Sequence, residues 1–134
     1  EKAARGSVGQ QYPWSELIDS KMTSEWDPSK GNFANTKLKR LTSVNRYSSG
    51  ISPYGCFDMA GNCYEWCWDW FHPQTYKYGP SHAPRGARDG SRKVIRGGSW
   101  NSNGEFSGRC ANRAAQRPHA RLNYIGFRIA SDSV

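Results

Sequence analysis

The most regular pattern of hydrophobic and polar positions in the chain lies in CYEWCWDWF, residues 63–71. Every second position carries a large ring: Tyr64, Trp66, Trp68 and Trp70. The positions between them carry cysteine or a carboxylate, so the alternation has the period of two that a half-buried strand requires. The pattern predicts a strand that turns its tryptophans toward the core.

Regular elements are short elsewhere. KVIRGGSW (93–100) predicts a strand that two glycines terminate, and NYIGFRIAS (123–131) predicts another strand of alternating apolar residues. EKAAR (1–5), followed by glycine, is typical of the last turn and cap of a helix, so we expect part of that helix to lie upstream. Glycine and proline interrupt residues 42–62 and 76–90. Short strands, long loops and little helix predict an irregular α+β domain.

The polar, loop-like stretch that follows QYPWSE (11–16) and runs to about Arg40 offers few core anchors. A turn is expected around Pro13, and Trp26, Phe33 and Leu38 are the apolar side chains expected to hold the rest of the stretch. Aromatic residues make up 13% of the chain, including six tryptophans, and each ring buries about 150–250 Å². We therefore expect rings to replace aliphatic side chains in a single core, which 134 residues are enough to build.

Charge and hydropathy argue against two classes of partner. The net charge is +8 and the isoelectric point is near 9.6, but the basic residues are scattered in groups such as KLKR (37–40) and RGAR (85–88). No RNP, zinc-finger or helix-turn-helix pattern accompanies them, so we predict no dedicated nucleic-acid binding. No stretch approaches the ~20 apolar residues of a membrane span.

The four cysteines are Cys56, Cys63, Cys67 and Cys110. An even number permits disulfides, while buried free thiols are equally consistent with the pattern. None of the cysteines forms a CxxC pair, and the three histidines lack zinc-ligand spacing, so a zinc site is not expected.

Three separated motifs indicate a family. YGCFDMAGNCYEWCWDWF (54–71), KVIRGGSW (93–100) and NYIGFRIA (123–130), in this order, resemble the C-terminal half of the formylglycine-generating enzyme (sulfatase-modifying factor) family. The opening EKAARG and the YPW at 12–14 resemble the segment that precedes it. The resemblance implies a C-type-lectin-like fold of the formylglycine-generating-enzyme type. It also implies one domain over 1–134 that is truncated at its N-terminus.

The same resemblance bears on catalysis. Family members that oxidise a substrate cysteine carry two copper-binding cysteines just after the GGS motif, five residues apart. These positions fall on Ser102 and Ser107, and the stretch from Trp100 to Arg109 contains no cysteine. A hydroxyl does not supply the soft thiolate that Cu(I) prefers. The resemblance therefore implies no copper and favours a function without catalysis.

A structural calcium ion is implied by DMAGNCYE, residues 58–65. Carried over position by position, the ligands would be a side-chain oxygen of Asp58, the backbone carbonyls of Gly61 and Cys63, and the carboxylate of Glu65. All are oxygen donors, which suit a hard cation. The alternative is that Asp58 caps a turn and Glu65 faces solvent.

A narrower resemblance concerns residues 96–130. GGSW (97–100), ANR (111–113) and IGFR (125–128) resemble the frame of the variable region in variable proteins of diversity-generating retroelements. Many residues between these motifs are types reachable from an asparagine codon by adenine-directed mutagenesis, although Glu105 and Gln116 are not. The resemblance implies a surface for a protein or other macromolecular ligand. The residues expected to bind it are Asn101, Ser102, Asn103, Glu105, Phe106, Ser107, Arg117, His119, Leu122, Asn123 and Tyr124.

Three functions remain open from the sequence. The first is a non-catalytic ligand-binding domain, in the narrower version a diversity-generating retroelement variable protein. The second is an enzyme of the formylglycine-generating oxidase family, or a domain of an iron-dependent sulfoxide synthase whose iron-binding histidines lie outside this chain. The third is a structural or secretion-associated module that scaffolds other proteins.

Overall fold

The centre of the molecule is a four-stranded sheet. In the computed structural model, which describes residues 1–23, 25–79 and 86–131, the strand order is β5-β4-β3-β6. The strands are β3 (Tyr64–Trp70), β4 (Lys93–Arg96), β5 (Ala114–Gln116) and β6 (Ile125–Gly126). A separate hairpin pairs β1 (Leu17–Ile18) with β2 (Lys21–Met22).

The helices are single turns. They are α1 (Lys2–Arg5), α2 (Thr75–Tyr78) and α3 (Gly104–Ser107), with 3₁₀ turns at Pro28–Lys30, Ala34–Thr36 and Ser48–Gly50. α1 ends as predicted, because Gly6 adopts φ 65° and its N–H donates to the Lys2 carbonyl. Within the described ranges, no helix has the length and apolar character needed to cross a bilayer. The predicted α+β class, with short strands and long loops, is confirmed.

Strand direction determines the path of the C-terminal segment. β3–β4 and β4–β5 are antiparallel, while β6 pairs parallel to β3. β5 and β6 therefore run in the same direction at opposite edges of the sheet, and residues 117–124 must cross from one edge to the other. Val94 and Ile95 are 3% and 4% exposed. Since neighbouring residues of a strand point to opposite faces, both faces of the sheet are covered at its centre.

The predicted inward-facing row of tryptophans is wrong at Trp68, which is 90% exposed. Trp66 pairs with Ile95, but Trp70 pairs with Lys93, so β3 advances four residues while β4 advances two. The extra residues form a bulge, which breaks the alternation of faces. Lys93 contacts the bulged part of β3. Its ammonium lies 4.0 Å from the Trp70 ring centroid and donates a hydrogen bond to the Trp68 carbonyl at 2.6 Å.

The predicted strand at 123–131 is also shorter than expected. Only Ile125 and Gly126 pair with β3, and the alternating apolar residues beyond them lie in solvent, with Phe127 76% exposed and Ile129 85% exposed. The pattern did not indicate β5, α3 or the β1–β2 hairpin. In the loop predicted over residues 76–90, α2 occupies the first positions, and residues 80–85 lie outside the described part.

An aromatic cluster forms the main core beside the sheet. It consists of Tyr12, Trp14, Trp26 and Phe33, whose ring centroids lie 5.0–5.6 Å apart in successive pairs. Phe33 is 0% exposed and Tyr12 is 1% exposed; Phe33 was a predicted anchor and Tyr12 was not. Glycines let the backbone approach the Phe33 ring, since a Cβ at either Gly98 or Gly108 would lie 2.9 Å from it.

All four cysteines are free, so the disulfide alternative is not realised. Burial is the main cause that raises the pKa values of the Cys63 and Cys67 thiols, and it raises that of Cys110 to about 11. These three groups therefore remain protonated thiols at neutral pH.

Candidate functional site

Ser102 and Ser107 face each other in the turn after the GGS motif. Their Oγ atoms share a hydrogen bond of 2.8 Å. The Ser102 hydroxyl also accepts the Ser99 N–H at 2.8 Å and contacts the Ser99 carbonyl at 2.9 Å. Ser107 lies at the end of α3 and donates to the Asn103 carbonyl. The fold thus brings together the two positions onto which the family's copper-binding cysteines map.

The surroundings of this serine pair are small and neutral. Ser107 is 7% exposed and Ser99 is 1% exposed. Gly98 lies against the pair with φ 77°, and a Cβ there would come within 2.8 Å of the Ser107 Oγ. Among the described residues, the hydrogen-bond partners of the two hydroxyls are each other and backbone groups. No histidine, lysine or carboxylate side chain hydrogen-bonds to them within that part of the chain.

Exposed side chains surround the serine pair. Asn101, Glu105 and Phe106 are exposed, and Phe106 retains 60% of its surface with Arg109 stacked at 5.5 Å from its ring centroid. Asn103 is also exposed, but its side chain accepts the Glu105 N–H at 3.0 Å and therefore caps α3.

The segment before β6 lies next to this turn. The Trp100 indole N–H donates to the Asn123 carbonyl at 3.3 Å, and the Tyr64 N–H donates to the Tyr124 carbonyl at 2.9 Å. Asn123 is exposed, whereas Leu122 and Tyr124 are half-buried. We refer to the exposed residues of the two segments as the display surface: Asn101, Asn103, Glu105, Phe106 and Asn123.

Two other expected binding residues lie elsewhere. Arg117 and His119 are exposed, but they follow Gln116, which pairs with Lys93 beside Trp70 at the far end of β3. Tyr124 lies beside the start of β3. The structure therefore divides the expected set between the two ends of the sheet, and Ser102 and Ser107 lie beneath the display surface.

The segment expected to bind calcium is organised around Glu65. Both carboxylate oxygens of Glu65 accept hydrogen bonds from Arg128 at 2.7–3.1 Å, and Arg128 also donates to the Phe57 carbonyl. Gly61 adopts φ 87° and donates its N–H to the Gly97 carbonyl at 2.8 Å. Arg128, on the C-terminal segment, is a residue that the sequence reasoning missed. Its place in the IGFR motif (125–128) was the signal that the sequence offered.

Asp58 lies half-buried in the same segment. It adopts φ 54°, and its Oδ2 accepts the Asn62 side-chain amide at 3.2 Å. Burial raises the pKa of the Asp58 carboxyl, and Glu65 adds to the rise, against the opposing effects of Asn62 and Arg128. The charge of this carboxylate is thus incompletely compensated. A hard cation would compensate it, so the Asp58 carboxylate fits calcium chemically, while Glu65 would have to share its oxygens between the ion and Arg128.

Side-chain clustering alone does not define a metal site. In the described ranges, no group of three or more histidine, cysteine, aspartate or glutamate side chains could hold an ion. The set at 58–65 would combine two carboxylates with the backbone carbonyls of Gly61 and Cys63.

Comparison with known proteins identifies the family. A family model described as "Sulfatase-modifying factor enzyme 1-like domain" matches residues 1–133. The chain belongs to this family. The C-type-lectin-like fold of the formylglycine-generating-enzyme type, expected from the three motifs, is confirmed by this match and by the structural neighbours.

Two curated relatives show the range of proteins that contain such a domain. The "Serine/threonine-protein kinase pkn1" of Chlamydia caviae is 40% identical over 133 residues, which are 97% of this chain and 19% of that protein. The "Formylglycine-generating enzyme" of Streptomyces coelicolor is 30% identical over 139 residues, covering 99% of this chain and 44% of the enzyme. The chain therefore spans less than half of either relative.

A solved structure supports the narrower resemblance. "Treponema denticola variable protein 1" superposes with a TM-score of 0.70 and 25% sequence identity, covering 93% of this chain and 42% of that protein. This sulfatase-modifying-factor-like domain is thus similar both to formylglycine-generating enzymes and to a variable protein. These similarities do not distinguish an enzyme from a binding protein, so the side chains at the site are the evidence that can distinguish the two functions.

Proposed function

We propose that this domain is a non-catalytic binding module that holds a protein or other macromolecular ligand on its display surface. The observation that carries the proposal is the hydrogen bond of 2.8 Å between Ser102 Oγ and Ser107 Oγ. Two neutral hydroxyls occupy the positions where oxidases of the family hold copper between thiolates. Because Cu(I) prefers soft sulfur ligands, we propose that the domain binds no copper there.

Rigidity supports a binding role. Three hydrogen bonds fix the turn that carries Asn101 and Phe106. The first joins the two hydroxyls of the serine pair. In the others, the Ala34 N–H donates to the Ser102 carbonyl at 3.1 Å and the Tyr12 hydroxyl donates to the Glu105 carbonyl at 2.8 Å. Loops fixed on a packed core can exchange exposed residues without refolding. An exposed phenylalanine and adaptable asparagines are suitable side chains for such a surface.

The similarity to Treponema denticola variable protein 1 supports the narrower proposal, a variable protein of a diversity-generating retroelement. The exposed positions Asn101 and Asn123 lie between the frame motifs of residues 96–130, where the sequence resemblance places the variable positions.

The competing proposal is an oxidase-family enzyme or a sulfoxide-synthase domain, which the similarity to the Streptomyces coelicolor enzyme favours. That chemistry would need metal ligands from outside this chain.

A substitution library tests the binding proposal. We expect randomised Asn101, Phe106 and Asn123 to leave the Tm within about 5 °C in most clones, because exposed substitutions change stability by only about 0.5 kcal/mol each. Phage display of this library against streptavidin should yield binders. A matched library at Arg88, Ser91 and Arg92, which are exposed near the opposite end of the sheet, is the control. Equal enrichment from both libraries, or general unfolding of the first, would contradict the proposal.

We also propose that Asp58 and Glu65, with the Gly61 and Cys63 carbonyls, hold a structural calcium ion. Bound calcium would supply positive charge to the half-buried Asp58 carboxylate and cross-link the 58–65 segment. At about 10 mM calcium, a site with a dissociation constant of ~0.1–1 mM stabilises the fold by roughly 1.5–3 kcal/mol. Differential scanning fluorimetry should show the corresponding rise in Tm for the natural protein and little rise for Asp58→Asn.

The behaviour of Asp58 without calcium provides a second readout. Its folded-state pKa lies above the usual value of 3.8, so its contribution to the free energy of unfolding is highest below that pH. The contribution is lost as pH rises through the folded pKa. In chelator at neutral pH, Asp58→Asn should therefore be more stable than the natural protein. The calcium proposal fails if sodium chloride of equal ionic strength, or calcium added to Asp58→Asn, gives the same rise in Tm.

A further inference from the structure

A cavity of 280 Å³ lies against the sheet, away from the display surface. Its walls come from β3, β4 and α2, from the segments at Gly86 and Arg113, and from Glu1, whose carboxylate is paired with Arg96. The sheet contributes Cys67, Asp69, Val94 and Arg96, and α2 contributes Thr75 and Tyr76. The volume is close to the lower limit of small-ligand sites in proteins.

Of the two arginines in the cavity wall, Arg96 uses its guanidinium for hydrogen bonds within the protein. Arg96 donates to the Cys110 and Asn112 carbonyls at 3.1 Å, to Glu1 at 2.9 Å and to the Tyr76 hydroxyl at 2.7 Å. Its charge is paired with that of Glu1. Arg96 therefore shapes the cavity and has few donors left for a ligand.

Arg113 differs from Arg96 in this respect. Its guanidinium stacks 4.3 Å from the Tyr76 ring centroid and lies 5.4 Å from that of Phe71. Within the described residues it makes no side-chain hydrogen bond and no ion pair. Stacking uses the face of the guanidinium and leaves its N–H edge available, which is the edge that binds a carboxylate in bidentate fashion.

Asp69 supplies the opposite charge. It lines the same cavity, and in the described part of the chain its carboxylate has neither a hydrogen bond nor an ion pair. Gly86, with φ 72°, packs directly on this carboxylate and leaves no room for a side chain there. The Asp69 carboxylate and the Arg113 guanidinium do not pair with each other. The small cavity therefore contains one group that can bind a cation and one group that can bind an anion.

We propose that this cavity binds a small zwitterion, namely a free α-amino acid with an apolar side chain. Its carboxylate would bind the Arg113 edge, its ammonium group would bind Asp69, and its side chain would contact Val94 and Trp70. A simple anion would leave Asp69 unpaired, and a simple amine would leave Arg113 unpaired. A ligand with both charges satisfies both groups in a partly desolvated space.

The test uses leucine and its two half-analogues, 4-methylpentanoate and 3-methylbutylamine, which lack the ammonium and the carboxylate respectively. Ligand-observed NMR or calorimetry at up to about 10 mM detects a dissociation constant on the order of 1 mM. We expect leucine to bind at least about tenfold more tightly than either analogue, since each analogue loses a charge-assisted contact. Arg113→Met and Asp69→Asn should each weaken leucine binding by a similar factor.

Arg109→Met is the matched control, because Arg109 also stacks on an aromatic ring, Phe106, but does not line this cavity. Circular dichroism of each variant separates loss of binding from loss of fold, and Asp69→Asn preserves side-chain shape if Arg113→Met unfolds. The proposal is overturned if leucine fails to bind the natural protein or binds no better than 4-methylpentanoate. It is equally overturned if leucine binding survives in folded Arg113→Met and Asp69→Asn. None of these outcomes depends on the display surface.

Discussion

A double substitution, Ser102→Cys with Ser107→Cys, should create a Cu(I) site. The two hydroxyl oxygens lie 2.8 Å apart, so two thiolates at these positions need only small side-chain rotations to hold one ion between them. Soft sulfur ligands favour Cu(I) strongly over hydroxyls. We expect Cu(I) affinity to rise roughly 1,000-fold or more, equivalent to about 4 kcal/mol, in competition titrations with a chromogenic chelator under reducing conditions.

The single variants are the controls, because one thiolate cannot form the pair and should gain far less affinity. The natural protein should also leave a cysteine in a sulfatase-type peptide unchanged when copper and oxygen are supplied, as followed by mass spectrometry. Formylglycine formation by the natural protein would overturn the proposal of a non-catalytic domain. Failure of the folded double variant to bind copper would show that the serine pair does not occupy a copper-site geometry.

Phe33→Ala should cause the largest loss of stability of any single substitution considered. Phe33 is 0% exposed, packs edge-on against Trp26 at 5.0 Å, and lies under the glycines at 98 and 108. Removing a fully buried phenylalanine costs about 3–5 kcal/mol through lost transfer energy and the remaining cavity. Urea denaturation followed by tryptophan fluorescence should show a loss of about 4 kcal/mol, or no cooperative transition.

Phe106→Ala is the matched substitution on the display surface. Phe106 is 60% exposed, so its removal should change the free energy of unfolding by less than about 1 kcal/mol. A similar cost for both variants would contradict the division between a rigid core and an exchangeable surface. Because the Phe33 ring supports the turn that carries the serine pair, this comparison also tests whether that turn is held from below.

The family motif match and the expected ligand-binding set differ in how far the structure brings their residues together. The motif match identified the family from residues that lie far apart in sequence, and the two positions that it mapped onto Ser102 and Ser107 are in contact in the structure. The residues of the expected ligand-binding set do not form a single surface. Arg117 directly follows the far end of β5, because β5 runs away from the turn that follows the GGS motif.

Local sequence determined several features of this protein by itself. The glycine after EKAAR ends α1, the apolar residues before GGSW form β4, and the absence of cysteine from residues 101–109 removes the thiolate ligands in any alignment. Each of these depends on the conformational preference or the chemistry of a few consecutive residues.

Only the tertiary structure decided the rest. Trp68 is exposed because the pairing of β3 with β4 shifts register, and pairing between residues that are 23 to 31 positions apart is not encoded in either segment alone. The ion pair of Glu65 with Arg128 and the cavity shared by Asp69 and Arg113 likewise join residues distant in sequence. Periodicity describes one segment at a time, whereas register, pairing of charges and cavities arise only when segments pack together.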